Sequence, residues 1–288
     1  MRSRAPGDVA REYTLLYVFG SGRSGSTLLD LLLSGHPRVL ALGELSTLVT
    51  RFDPLAATGL PSDAFPAEVR RFWELVRGCC EAGGQSWTSI DLTHPRLRQA
   101  VRWSPSRVDA WARRNQLVID CAHRSARAQV VTDSSKAPPR LVLLARSGRF
   151  QLRVLHLLRD GRAVTQSYVR RYDNFAGGLR TWMVASLSAP VLRSLVGRDR
   201  WLQLRYEDLA QDPARSLAKV CAFVGLDYEP AMLQFRSHPY LGVRGSPTVR
   251  STAEQAIRLD ERWRTEMSVA RRAAFEVVGG WLNKLYGY

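Results

Sequence analysis

The residues best able to do chemistry begin at Gly20–Thr27, which reads GSGRSGST. They follow the apolar run Thr14–Phe19 (TLLYVF) and open a pattern, TLLDLLLSG, with helical spacing. A strand, a glycine- and serine-rich turn and a helix are the parts of an anion-binding loop. Backbone N–H groups in such a turn converge on the anion, glycines let it approach closely, and the positive end of the helix adds attraction. Against the phosphate-loop pattern GxxxxGK[ST], the segment matches at Gly20, Gly25 and Thr27 but has Ser26 in place of the lysine. That gap removes the usual contact to β and γ phosphates and argues against Mg-ATP or GTP hydrolysis. Arg23 can bring a planar guanidinium to a tetrahedral oxyanion from another direction. A flexible surface turn has the same composition; the flanking strand and helix favour the anion loop.

A second cluster lies in Leu152–Arg171, LRVLHLLRDGRAVTQSYVRR. It reads as a strand ending at Arg159 and a helix capped by Asp160, with Ser167 and Arg171 four apart on one face. Two guanidiniums and a hydroxyl then serve one phosphate. By itself the segment is an ordinary basic helix surface.

The elements that must position these groups alternate. Strands are expected at Thr14–Phe19, Val39–Leu42, Val130–Thr132, Arg153–Leu158 and Trp201–Leu204, and helices from Ser26, at Pro138–Ala145, Gly161–Tyr172, Phe175–Val196 and Pro213–Val224. Alternation of this kind predicts an α/β fold with a P-loop-type central parallel sheet flanked by helices. Leu45 to Gln129 is irregular apart from helical stretches near Glu68–Cys80 and Arg107–Arg114, and reads as a helical cap inserted into a single domain spanning 1–288. Gly242–Thr252 lacks periodicity and reads as a loop.

RSGSTLL, a following His-Pro turn, a Gly-Glu pair and the strand-to-helix RDGRAVxxSxxxR form an ordered set. In that order they resemble the sulfotransferases that use 3′-phosphoadenosine 5′-phosphosulfate, in particular the tyrosylprotein and bacterial branches. The resemblance runs from about Tyr13 to Trp263 and is poor across 45–129, the variable, acceptor-side part. It implies that Arg23, Ser24, Gly25, Ser26 and Thr27 bind the 5′-phosphosulfate, and that Arg159 and Ser167 bind the 3′-phosphate with Arg171 as a helper. Tyr206, in RYEDL, matches a position near the nucleotide and reads equally as a packed tyrosine at a strand end. Glu44 falls where the tyrosylprotein branch has its general base, a carboxylate able to take the proton of an attacking hydroxyl; a turn cap paired with Arg51 is the other reading. Lys136 matches a lysine that, with Arg23, steadies charge on the transferring sulfuryl group, and reads otherwise as a solvated loop residue. Gly245 through Arg250 resembles a loop that closes over the nucleotide, although Ser246 departs from the asparagine common there. His36 is a base candidate only by analogy with the steroid and phenol branch, and its turn favours a structural role; His156 reads as core. Trp87, Trp111 and Trp182 are candidates to line an acceptor pocket, and each reads also as core.

Composition narrows the rivals. The net charge of +16 attracts anions of every kind. Its arginines are spread along the chain and no recognised nucleic-acid motif occurs, so a non-enzymatic nucleic-acid or anionic-surface binder is the weaker reading, as is a small-molecule kinase with an altered loop. No CxxC or HExxH occurs, so no metal is expected. No run reaches the roughly 18 apolar residues of a membrane span. Without a signal-peptide pattern and with four cysteines, two of them adjacent, cytoplasmic residence is expected. The acceptor is a small molecule, carbohydrate or peptide, which these residues do not distinguish, and the oligomeric state is not encoded in any motif.

Overall fold

In the computed structural model, residues 13–48, 66–243 and 256–288 are described. Arg51 and the segment Gly245–Arg250 lie outside them. Five strands make one sheet. The central strand β1 (Thr14–Gly20) is flanked by β3 (Val130–Lys136) and then β2 (Val39–Ala41) on one side, and by β4 (Leu152–Leu158) and then β5 (Trp201–Arg205) on the other, all parallel. Every residue of β1 is buried, as a parallel strand covered on both faces must be. Its alternation divides the core. Leu15, Tyr17 and Phe19 enter one hydrophobic cluster, while Leu16 and Val18 enter another.

Helices cover both faces. On the Leu16 face lie α1 (Ser26–Ser34) and, among later elements, a helix at Pro213–Val224, which supply Leu29, Leu32, Leu217 and Val220 to the core. The Leu15 face is covered by α2 (Ala67–Ala82), α3 (Leu97–Arg102), α4 (Pro105–Ala126), α5 (Pro138–Ser147) and, beyond α6 (Gly161–Tyr172), by α7 (Phe175–Val196). After β5 come α8 (Tyr206–Gln211), α9 (Pro213–Val224), α10 (Trp263–Glu266) and α11 (Val269–Leu285). A third small cluster, Val164, Trp182, Phe275 and Leu282, joins α6, α7 and α11. The inserted helices α2 to α4 share the Leu15 cluster, through Trp73, Val76, Trp111 and Val118.

Two elements exceed their sequence-based bounds by more than a turn's end, for physical reasons. The apolar pattern of β3 stops at Thr132, yet the strand runs to Lys136 because Asp133, Ser134 and Ser135 are buried and hydrogen-bonded. α4 runs for 22 residues where Arg107–Arg114 was expected; Ser104 caps it, accepting from the Arg107 N–H, and Pro105 occupies its first turn. α8 was not anticipated.

Cys79 of α2 and Cys121 of α4 form a disulfide, with Cα atoms 5.7 Å apart. Adjacency rules out a Cys79–Cys80 bridge but leaves Cys79 free to reach another helix. Cross-linking residues 42 apart removes about 4 kcal/mol of chain entropy from the unfolded state by the loop-length relation. Such bridges persist in oxidising compartments, which weakens the cysteine argument for cytoplasmic residence.

Candidate active site

In a parallel sheet every strand delivers its last residues to the same edge, where ligands bind. Here all five do so with a candidate: β1 leads into the Arg23 loop, β2 toward Glu44, β3 ends on Lys136, β4 is followed by Arg159 and β5 by Tyr206. The fold gathers residues spread over 183 positions (23 to 206) because of parallel pairing alone.

The loop wraps the start of α1. Gly25 takes φ 96°, in the left-handed region, and a Cβ there would collide with the Tyr206 ring. Glycine is required on both counts. α1 has no side-chain cap and no acidic residue in its first turn, so the positive end of its dipole faces the loop without a protein carboxylate against it. Arg23 also has positive φ, at 67°, which costs a branched-free side chain about 1 kcal/mol or more. The turn aims its side chain at α6, where Arg23 Nε donates to Ser167 Oγ at 3.0 Å. Burial lowers the Arg23 pKa, and the charges of Arg159, Arg170 and Arg171 lower it further.

Arg159 closes the junction from the other side. Its Nη1 donates to the Arg23 carbonyl at 2.9 Å, its guanidinium stacks on the Tyr206 ring at 4.2 Å, and the Trp182 indole donates to its backbone carbonyl at 3.2 Å. Arg159 and Ser167 therefore both face the loop. Arg171 is exposed, with its guanidinium 5.9 Å from the Tyr172 ring centre; it reaches Arg23 by charge. Tyr206 packs on Gly25 and under Arg159, so it is a packed ring beneath the loop.

Glu44 and Lys136 form the other pole. Lys136 has φ 63°, and this backward turn lets Nζ donate to the Ser134 carbonyl at 2.7 Å and to Glu44 Oε1 at 2.9 Å. An ammonium has three N–H donors, so one is left for a substrate oxygen. Lys136 is thus an end-of-strand residue in an ion pair, and the solvated-loop reading is set aside. Glu44 is held by its backbone: its N–H donates to the Val243 carbonyl at 3.0 Å, and the Ser134 N–H donates to the Gly43 carbonyl at 2.7 Å. Gly43, at φ 68°, leaves no space for a Cβ between Val243 and the Tyr240 hydroxyl. Beneath lies Asp30 of α1, accepting from Ser134 Oγ at 2.5 Å, Thr132 Oγ1 at 3.3 Å and the Tyr240 hydroxyl at 3.4 Å. Burial pushes its carboxyl up to about 6, against the pull of Ser134 and the Lys136 charge.

The family model for the sulfotransferase family matches residues 16–230. The chain belongs to the sulfotransferase family. Among curated relatives, carbohydrate sulfotransferase 5 of Mus musculus is 28% identical, over 94% of this chain and 80% of the relative. Carbohydrate sulfotransferase 2 of Homo sapiens is 24% identical, over 92% of this chain and 63% of the relative. The chain therefore spans between three fifths and four fifths of the length of these two. Of solved structures, the sulfotransferase domain from the Synechococcus PCC 7002 olefin synthase superposes with a TM-score of 0.64 at 24% identity, covering 100% of this chain and 99% of that one, which establishes the shared fold. The family that the motifs suggested is thus borne out, and of its tyrosylprotein and bacterial branches it is the bacterial one that appears among these structures, beside the carbohydrate enzymes.

The sulfotransferase fold and membership make this chain a sulfuryl-transferring enzyme, and its site can be tested against the family's donor nucleotide. Of the buried side-chain atoms without a partner among the described residues, two lie at this site: Ser24 Oγ in the loop, on a residue with 0% exposure, and Arg159 Nε. A buried orphan needs an explanation, and at this edge of the sheet an anionic ligand supplies one. Together with the uncapped start of α1, they lie in the two segments assigned to the two ends of the nucleotide, so the residues fit it. Among the described residues no cluster suited to a metal occurs, and no helix is long and apolar enough to cross a membrane.

Several other sequence readings resolve. His36 is structural: its Nδ1 accepts from the Arg38 N–H at 3.0 Å, leaving Nε2 to donate to the Asp227 carbonyl at 3.0 Å. His156 is in the core between Phe19 and Trp201, and burial pushes its pKa down to about 3, so it stays neutral. Trp87, Trp111 and Trp182 are buried core residues. Sequence reading missed Asp30, Ser134, Arg170 and Tyr168, whose hydroxyl packs against Gly22. Of these only Arg170 carried a signal, being three residues from Ser167.

Proposed function

We propose that this sulfotransferase moves the sulfuryl group of 3′-phosphoadenosine 5′-phosphosulfate to a hydroxyl of a carbohydrate acceptor. Ser24 to Thr27 and the start of α1 hold the 5′-phosphosulfate, through backbone N–H groups and hydroxyls. Arg159 and Ser167 hold the 3′-phosphate. Arg23, expected to steady the sulfuryl group, is reassigned to this second set, because its side chain is bonded to Ser167. Glu44 accepts the acceptor's proton as its oxygen attacks sulfur, and Lys136 places its remaining N–H on the oxygens that gain charge. The observation that carries this reading is the joint between the two motifs, Arg159 on the Arg23 carbonyl and Arg23 on Ser167, which lets one ligand span both. The sugar acceptor is supported by the names of the relatives.

The donor half is tested by thermal stabilisation. A ligand at 100 times its Kd stabilises by about 2.7 kcal/mol, a rise of about 5–8 °C for a chain of this size. That rise is expected with adenosine 3′,5′-bisphosphate, in EDTA as well as without it. A rise with Mg-ATP and none with the bisphosphate would overturn the assignment. The acceptor half is tested by sulfuryl transfer to a panel of oligosaccharides, tyrosyl peptides and simple phenols. Product is expected on the sugars; turnover on peptides or phenols with none on sugars would remove the carbohydrate.

A further inference from the structure

Asp260 belongs to none of the motifs, yet it lies across the nucleotide end of the site. Its carboxylate is 3.2 Å from Arg159 Nη2, 3.7 Å from Arg170 Nη2 and 2.8 Å from Arg262 Nε. Its backbone is engaged at the same place. The carbonyl accepts from Arg159 Nη2 at 3.0 Å, and the N–H donates to the Tyr206 hydroxyl at 3.2 Å. Although burial alone would raise it, Arg262 and Arg159 hold the Asp260 carboxyl well below the usual carboxylate range, so the group is an anion at any working pH. The Nη2 edge of the guanidinium assigned to the 3′-phosphate is thus occupied by an anion belonging to the protein.

We propose that Asp260 stands in the 3′-phosphate subsite as a built-in anion, competes with the nucleotide's 3′-phosphate for Arg159, and so sets the affinity for 3′-phosphorylated nucleotides. This inference rests on the assignment of Arg159 to that phosphate. The physical basis is charge. A phosphate dianion brought to Arg159 meets a carboxylate already paired with the same guanidinium, and like charges that close oppose one another whether Asp260 swings away or stays. A purely supporting role, in which Asp260 aims Arg159 at its ligand, has the opposite sign: its loss would weaken binding.

The discriminating variant is Asp260→Asn, which keeps the shape and one acceptor oxygen and removes the charge. By calorimetry, adenosine 3′,5′-bisphosphate is expected to bind about tenfold more tightly to it than to the unmodified enzyme, while adenosine 5′-monophosphate, lacking the 3′-phosphate, stays within about twofold. Asp260→Ser provides the same comparison should the asparagine variant fold poorly. Bisphosphate binding that is unchanged or weaker overturns the proposal. A parallel Arg159→Met variant separates this from failure of the underlying assignment. It is expected to lose the preference for the bisphosphate over the monophosphate. If it keeps that preference, Arg159 does not read the 3′-phosphate and the assignment itself falls; if it loses the preference while Asp260→Asn gains nothing, only the role of Asp260 falls.

Discussion

Glu44→Gln is expected to lower kcat about 10²–10⁴-fold, the usual contribution of a positioned general base, while adenosine 3′,5′-bisphosphate binds within about twofold of its original affinity. The two halves follow from the geometry. Glutamine keeps an oxygen that can accept from Lys136 Nζ, now 2.9 Å from Glu44 Oε1, and keeps the backbone bonds to Val243 and the fit behind Gly43. What it cannot do is take a proton. The loss corresponds to about 3–5 kcal/mol of transition-state stabilisation. Saturating kinetics with the preferred acceptor give kcat, and calorimetry gives nucleotide affinity. An unchanged kcat would leave Glu44 as no more than the partner that orients Lys136, whereas a weakened nucleotide with unchanged kcat would place it among the binding groups.

How far the sequence reveals this site depends on whether a residue acts through its own local pattern or through a distant partner. Gly25 is legible because a left-handed turn before a helix needs glycine and because strand, turn and helix follow one another in sequence. Arg159 and Ser167 are legible once α6 has a period, since strand end and helix face fix their directions. Lys136 is only half legible. Hydropathy ends β3 at Thr132, and nothing local reveals that Asp133, Ser134 and Ser135 are satisfied by Arg140, Asp30 and one another. Arg23 was placed with the right segment but aimed wrongly, because φ 67° sends its side chain to a helix 144 residues away. Asp260 carries no local signal at all. An aspartate among arginines reads as surface charge, and its neighbours Arg159 and Tyr206 are distant in sequence. The parallel sheet was predictable from alternation; the order of its strands, which makes β1 central, rests on long-range pairing that no window of sequence contains.

Arg140→Met is expected to destabilise the fold by about 3–5 kcal/mol, the usual cost of leaving one member of a buried ion pair alone. Arg140 and Asp133 are both fully buried, with Nε 2.6 Å from Oδ2. Methionine fills much of the volume but leaves the Asp133 carboxylate with Ser135 as its remaining partner, through the backbone N–H at 3.1 Å and the hydroxyl. Other connections are lost with it. Nη1 donates to the Leu92 carbonyl at 2.9 Å, tying the inserted region to the sheet, and the guanidinium lies 5.3 Å from the Trp111 ring centre. Urea denaturation measures the loss directly, and a fall of about 10 °C in melting temperature is the thermal counterpart. The double variant Arg140→Met with Asp133→Leu decides the cause. If the cost comes from an unpaired buried charge, removing the second charge restores more than half of the lost stability; if it comes from the bond to Leu92, the double variant is no more stable than the single one. Activity is expected to fall in the double variant even where stability returns. Ser135 Oγ accepts from the Ser46 N–H at 2.9 Å, two residues beyond Glu44, and Asp133 accepts from the same hydroxyl. Asp133 therefore helps set the backbone that carries the proposed base, and losing it leaves Ser135 free to turn away from Ser46.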